Sequence, residues 1–203
     1  MKKIYLYTRF ERFWHWAQAL LICALLWTGF AVHGDLSWPD FKTAVIWHNR
    51  LGIAWLILFA FIVFWQATTG EWRHYVPTTR KLFAVLRYYL VGIFRGESHP
   101  VAKTAEAKHN PLQRLTYLGV AIAIVPVQVL TGLLYWTYND WHVAGFSMDL
   151  GLLALLHLAG AFVFLIFVVI HVYMITTGHT PLAHLKAMIT GWEDVDEPQK
   201  PGR

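Results

Sequence analysis

Charge is what this chain has least of. Only 14% of its 203 residues are Asp, Glu, Lys or Arg, while 57% are hydrophobic. No soluble domain of this length needs that balance, so the composition excludes a water-surrounded globule and points to a membrane protein. Cysteine is nearly missing as well: with Cys23 alone, no disulfide can form within one chain. There is no internal repeat and no sign of a second domain. No cleaved leader is expected, because the first apolar run is too long for a signal-peptide core and lacks a small-residue cleavage site.

Long apolar runs are present instead. Four stretches reach the roughly 20 residues that cross a bilayer: Phe13–Val32, Val45–Thr68, Leu115–Tyr135 and Leu150–Thr176. Basic residues orient them. Fifteen of the 17 Lys and Arg precede the first run, follow the fourth, or lie between the second and third; only Lys42 and Arg50 fall in the other connections. That asymmetry places both termini and the long middle loop in the cytoplasm. The net charge of +5 is then a topology signal, and a nucleic-acid partner is not expected. Trp14, Trp16, Trp38, Trp47, Trp72, Trp136, Trp141 and Trp192 fall near the expected interfaces, as an aromatic belt does.

The expected fold is therefore an all-α integral membrane protein, a four-transmembrane-helix bundle with both termini inside. In the middle loop, TTRKLFAVLRYYLVGIFRG mixes apolar and basic positions and reads as an amphipathic helix on the inner membrane surface. GESHPVAKTAEAKHNP is a polar connector. Residues 1–192 form one membrane domain, and the charged, Pro-containing residues 193–203 read as a disordered cytoplasmic tail.

Ionisable groups deep in lipid are costly and mark function. In the last run, LGLLALLHLAGAFVFLIFVVIHVYMITTG, His157 and His171 are 14 residues apart. At about 100° and 1.5 Å per residue they share one face to within about 40° and lie about 21 Å apart. The alternating topology matches them in depth with two others: His48, near the outer start of the second helix, with His157, and His15, near the inner start of the first, with His171. Two haems, each held by two imidazoles, account for all four. A proton relay or a hydrogen-bonded core group is the alternative for any one of them. His33, at the outer end of the first helix, competes with His48. No Cys-x-x-Cys-His motif is present, so covalently attached haem is not expected. Gly29 is 14 residues after His15, on its face at the outer level, where it could leave room for a macrocycle. Gly52 and Gly160 follow His48 and His157 by about one turn. Close helix contact is the competing reason for these glycines. His74, His99, His109, His142, His179 and His184 lie in loops or at edges and read mostly as solvated.

RFERFWHW opening the first helix, KHNPLQRLTY before the third, and HVYMITTGHTPLAHLKAMITGWE closing the fourth resemble the cytochrome b subunits of respiratory complexes. These include the membrane anchors of thiosulfate reductases, nickel–iron hydrogenases and formate dehydrogenases, the thiosulfate-reductase type being most similar. The resemblance implies two non-covalent, bis-histidine haem b groups, one on His15 and His171, the other on His48 and His157. It also implies a quinone site on the cytoplasmic side, with Asn110 and Gln113 the matching residues and His171 nearby. Read from the residues alone, Asn110 equally caps the third helix before Pro111. Arg9 and Arg12 could meet the inner haem's propionates and Arg50 the outer one's, or serve as lipid anchors.

The expected function follows. A subunit in the bacterial cytoplasmic (inner) membrane, multi-pass and surrounded by lipid, would carry electrons between a quinone, ubiquinone or menaquinone, and a periplasmic iron–sulfur or multihaem cytochrome subunit. Two alternatives stand beside it: a stand-alone haem oxidoreductase for quinol or superoxide, and a haem-free, proton-coupled membrane protein.

Overall fold

A computed structural model describes residues 2–101, 104, 108–143, 145 and 147–195. The protein is an all-α membrane bundle with four helices long and apolar enough to cross a bilayer. In chain order these are α1 (Arg9–His33), α2 (Phe41–Thr69), α4 (Pro111–Trp136) and α5 (Leu150–Ile175). Each begins on a side chain that satisfies an orphan backbone N–H. Thr8 and Glu11 cap α1 reciprocally: the Thr8 N–H donates to Glu11 Oε2 at 2.7 Å and the Glu11 N–H to Thr8 Oγ1 at 3.3 Å. Asp40 Oδ1 accepts from the Thr43 N–H at 3.2 Å, and Asp149 Oδ1 from the Leu152 N–H at 2.6 Å. Asn110 and Gln113 exchange two bonds of 2.9 Å at the start of α4, with Pro111 first in the helix.

α4 is not uniform. Residues Val120–Ile124 form a π-turn between α-helical stretches Pro111–Gly119 and Val125–Trp136. Pro126 explains the break: it has no N–H to continue the ladder, and a local wide turn re-satisfies the freed groups. The amphipathic loop helix is present as α3 (Leu82–Arg87), continued by a π-turn (Tyr88–Gly92) and a 3₁₀ turn (Ile93–Arg95). Arg87 grips Glu97 with two bonds of 2.7 and 2.8 Å just beyond it.

The chain folds as two compact units. One comprises Met1–Phe13, Gln66–Gly119 and Ile170–Arg203, and the other Trp14–Trp65 and Val120–Val169. The second unit holds most of each spanning helix. Its core takes one residue from each: Ile22, Trp55, Val125 and Phe164. The Trp55 and Phe164 rings meet edge to face at 6.4 Å. Phe164 lies seven residues from both His157 and His171, so this apolar layer sits about two turns from each along α5. Outward residues such as Leu20, Ile57, Phe64 and Ile166 are exposed, as a lipid-facing surface requires.

The first unit contains a small sheet. β1 (Lys2–Tyr5) pairs antiparallel with β2 (Trp192–Val195), Tyr5 opposite Trp192. The Gly191 carbonyl accepts from the Leu6 N–H at 2.8 Å. Gly191 has φ +88°, and a Cβ there would meet Tyr5 and the Tyr7 carbonyl oxygen at 2.6 and 2.7 Å, so glycine is required where helix α6 (Ala183–Thr190) turns into β2. Residues 193–195, expected in a disordered tail, form most of this strand, with Glu193 buried and 3.0 Å from His184. The rest of that expected tail, 196–203, lies outside the described residues.

Candidate functional site

His48 and His157 come together in the second unit. Their ring centres are 6.1 Å apart and their planes stand at 85°. Each imidazole has the same support. His48 Nδ1 is 3.0 Å from Thr28 Oγ1, and that hydroxyl donates to the Ala24 carbonyl at 2.8 Å. His157 Nδ1 is 2.9 Å from Thr131 Oγ1, which donates to the Val127 carbonyl at 2.7 Å. A hydroxyl has one proton to give, and the helix carbonyl is an acceptor for it. With that proton on the carbonyl, each threonine oxygen accepts from the histidine, which assigns the ring proton to Nδ1 and the lone pair to Nε2. At His157 that lone pair faces the Gln128 amide nitrogen at 3.3 Å.

Gly29 and Gly132 complete the two supports. A Cβ on Gly29 would lie 3.2 Å from His48 Cε1, and one on Gly132 3.1 Å from His157 Cε1. Gly29 thus lies against the His48 ring. Gly160 is buried against Gln128, whose Oε1 a Cβ would meet at 2.0 Å, and nothing lies within 4 Å of where a Gly52 Cβ would stand. His33 is half exposed and pairs with Asp35 at 3.0 Å. His15 belongs to the second unit and His171 to the first, and both are half-buried. Arg50, with Trp27, Thr28 and Trp47, lines a cleft of about 350 Å³ beside His48. Arg12 donates to the Ile189 carbonyl, and Arg9 is exposed.

In the first unit, Asn110 and Gln113 spend their cap atoms on each other, and the Asn110 amide also donates to the Tyr89 hydroxyl at 3.1 Å. Burial pushes that phenol up to about 12. His109 stacks on Tyr75 at 4.8 Å and meets Tyr117 edge-on at 5.4 Å. Burial holds its imidazole down at about 4, against the opposing pull of the Glu11 charge. Lys108, 7% exposed, bridges Glu11 at 2.8 Å and Glu71 at 3.2 Å. Burial alone would lower the Lys108 ammonium, but the two carboxylates outweigh it and raise it. His99 packs on Tyr88 and Tyr89, and His184 pairs with Glu193. His99, His109 and His184, expected in solvent, are instead packed on aromatic and acidic partners, while His142 and His179 are exposed as expected.

The sequence patterns of this chain match the model of a known family, prokaryotic cytochrome b561, over residues 6–191. The chain belongs to the prokaryotic cytochrome b561 family. Among similar proteins, Escherichia coli (strain K12) YdhU, named as a cytochrome, is 35% identical over 196 residues, covering 94% of this chain and 75% of that one. The formate dehydrogenase cytochrome b556 subunit of Haemophilus influenzae is 25% identical over 189 residues, covering 89% and 73%.

A b-type cytochrome holds haem without a covalent bond, and the outer pair fits that group. His48 and His157 would hold such a group, each through one imidazole nitrogen. Their ring centres are 6.1 Å apart, and with Nδ1 turned to a threonine hydroxyl on each ring, Nε2 is the nitrogen left to bind it. Sequence reasoning missed Thr28, Thr131, Gly132 and Gln128. The signal was there: a Thr-Gly pair occurs in both α1 and α4, and Gln128 is a polar side chain in an apolar run.

Proposed function

We propose that this cytochrome carries electrons across the bacterial inner membrane through two haem b groups, between a quinone on the cytoplasmic side and a periplasmic redox subunit. The observation that carries the reading is the His48–His157 pair, whose ring centres stand 6.1 Å apart, each with its Nδ1 against a threonine hydroxyl. His48 and His157 hold the outer group. His15 and His171, matched in depth and by the family pattern, hold the inner one. Haem b bound between two histidines has no open position for substrate and supplies one-electron oxidation and reduction with little ligand movement. Arg50, at the cleft beside His48, offers charge to an outer propionate.

Quinone binding falls to the Asn110 region. The Asn110 amide and the Tyr89 hydroxyl form a hydrogen-bonded pair that can donate to a quinone carbonyl. His109 beside them is neutral at pH 7, and its buried Nδ1 has no hydrogen-bond partner among the described residues. The Glu11–Lys108–Glu71 set lines the same loop with paired charge. On the other side, the outer connections are short, which suits a docked partner. The relative named as a formate dehydrogenase cytochrome b556 subunit supports a redox partner subunit, and we assign that place to an iron–sulfur or multihaem protein.

The test is quinol-driven haem reduction in proteoliposomes, with wild type and Asn110→Asp. The aspartate keeps the cap oxygen and loses the amide donor. A reduction rate slowed about tenfold or more with haem content unchanged supports the site. An unchanged rate removes Asn110 from it.

A further inference from the structure

The two outer imidazoles are supported alike by helices that carry neither of them. α1 lends Thr28 and Gly29 to His48 of α2; α4 lends Thr131 and Gly132 to His157 of α5. The threonines are deeply buried, at 1% and 6% exposure, so their hydroxyls have no exchange with water to fall back on. Each hydroxyl accepts from Nδ1 while held by its own helix carbonyl, which fixes where the oxygen points. Each glycine lets the Cε1 edge, between the two nitrogens, come up against the helix backbone, where any Cβ would sit 3.1–3.2 Å away. One contact sets the tautomer, and the two together set the ring plane.

We propose that Thr28 and Thr131 are positioning residues for a bis-imidazole haem. They keep Nε2 as the ligating nitrogen, hold the two planes near the observed 85°, and strengthen the donors by drawing on Nδ1–H. The proposal rests on the haem reading above. It has two physical consequences. Near-perpendicular imidazole planes leave the two d orbitals that interact with the ligands almost equal in energy, which gives oxidised low-spin iron a strongly anisotropic EPR signal. A more electron-rich imidazole favours the ferric state, so removing the hydroxyl raises the midpoint potential.

The experiment uses the full chain, purified with haem, as wild type, Thr28→Val, Thr131→Val and both Thr→Ser variants. Haem per chain, the EPR spectrum of the oxidised protein and the midpoint potentials are measured. Wild type is expected to show one strongly anisotropic low-spin signal from the outer site. Each Val variant should shift that signal and raise one potential, leave the other potential in place, and be restored by Ser. Val variants with wild-type signal and potential overturn the proposal while the haem reading stands. A wild-type protein without haem overturns the haem reading itself. Should a Val variant lose the outer haem, recovery of haem and signal by Ser supports the proposal; a Ser variant that recovers neither contradicts it.

Discussion

An imidazole becomes a metal ligand only if the correct nitrogen is left basic, and in this chain two buried threonines make that choice. The roles of the histidines are therefore separable by single substitutions. His48→Ala and His157→Ala should each lower the haem content from two per chain to one, and His33→Ala should leave two, as counted by pyridine haemochrome on the purified protein. Loss of haem in His33→Ala with retention in His48→Ala would reverse the assignment. His109 yields a pH prediction. Its folded pKa, about 4, lies below the ordinary 6.5, so below pH 6.5 the unfolded chain binds a proton that the folded chain does not. Stability should fall as pH drops from about 6.5 to about 4, by at most about 1.4 kcal/mol per pH unit from this group, and level off below. Thermal melts of detergent-solubilised wild type and His109→Gln check it: the variant should lose that part of the slope. The meeting of His48 with His157 could be read from depth alone, because topology fixes the level of a residue in the bilayer. The threonine supports could not, because they depend on how each helix is rotated about its axis.

Among the elements, the four spans were legible in the apolar runs, but most of them start earlier than the runs do. α1, α2 and α4 begin about four residues before Phe13, Val45 and Leu115, since the helix extends back to its cap at Thr8, Asp40 or Asn110. The β1–β2 pair was not legible: two four-residue strands from opposite ends of the chain have no local pattern that names their partner. Asn110 and Gln113 were read both as a quinone segment and as a cap; the cap is present, and the quinone role now rests on the Asn110 amide and Tyr89. Lys108 is the tie between the start of α1, the turn after α2 and the approach to α4. Lys108→Met leaves two carboxylates facing each other without their cation, and should cost about 3 kcal/mol, seen as a lower unfolding midpoint with haem spectra unchanged below the transition. In α4, Gly132→Ala should push the His157 ring by a few tenths of an ångström, altering the outer haem's spectrum more than the protein's melting point.

For the whole molecule, composition and the placement of basic residues were enough to state a four-helix membrane bundle, and the family match over residues 6–191 agrees. The electron route is where sequence gives least. Depth pairing leads us to propose two haem levels along α5, whose histidines each lie seven residues from Phe164. The direction of flow depends on potentials, which arise from ligand strength, burial and nearby charge together. The decisive measurement is a redox-titrated optical spectrum of the purified chain with haem counted per polypeptide. Two non-covalent haems per chain, with b-type bands and two separable potentials, are the predicted result. A single haem, or a colourless protein after expression with ample haem supply, would contradict the account.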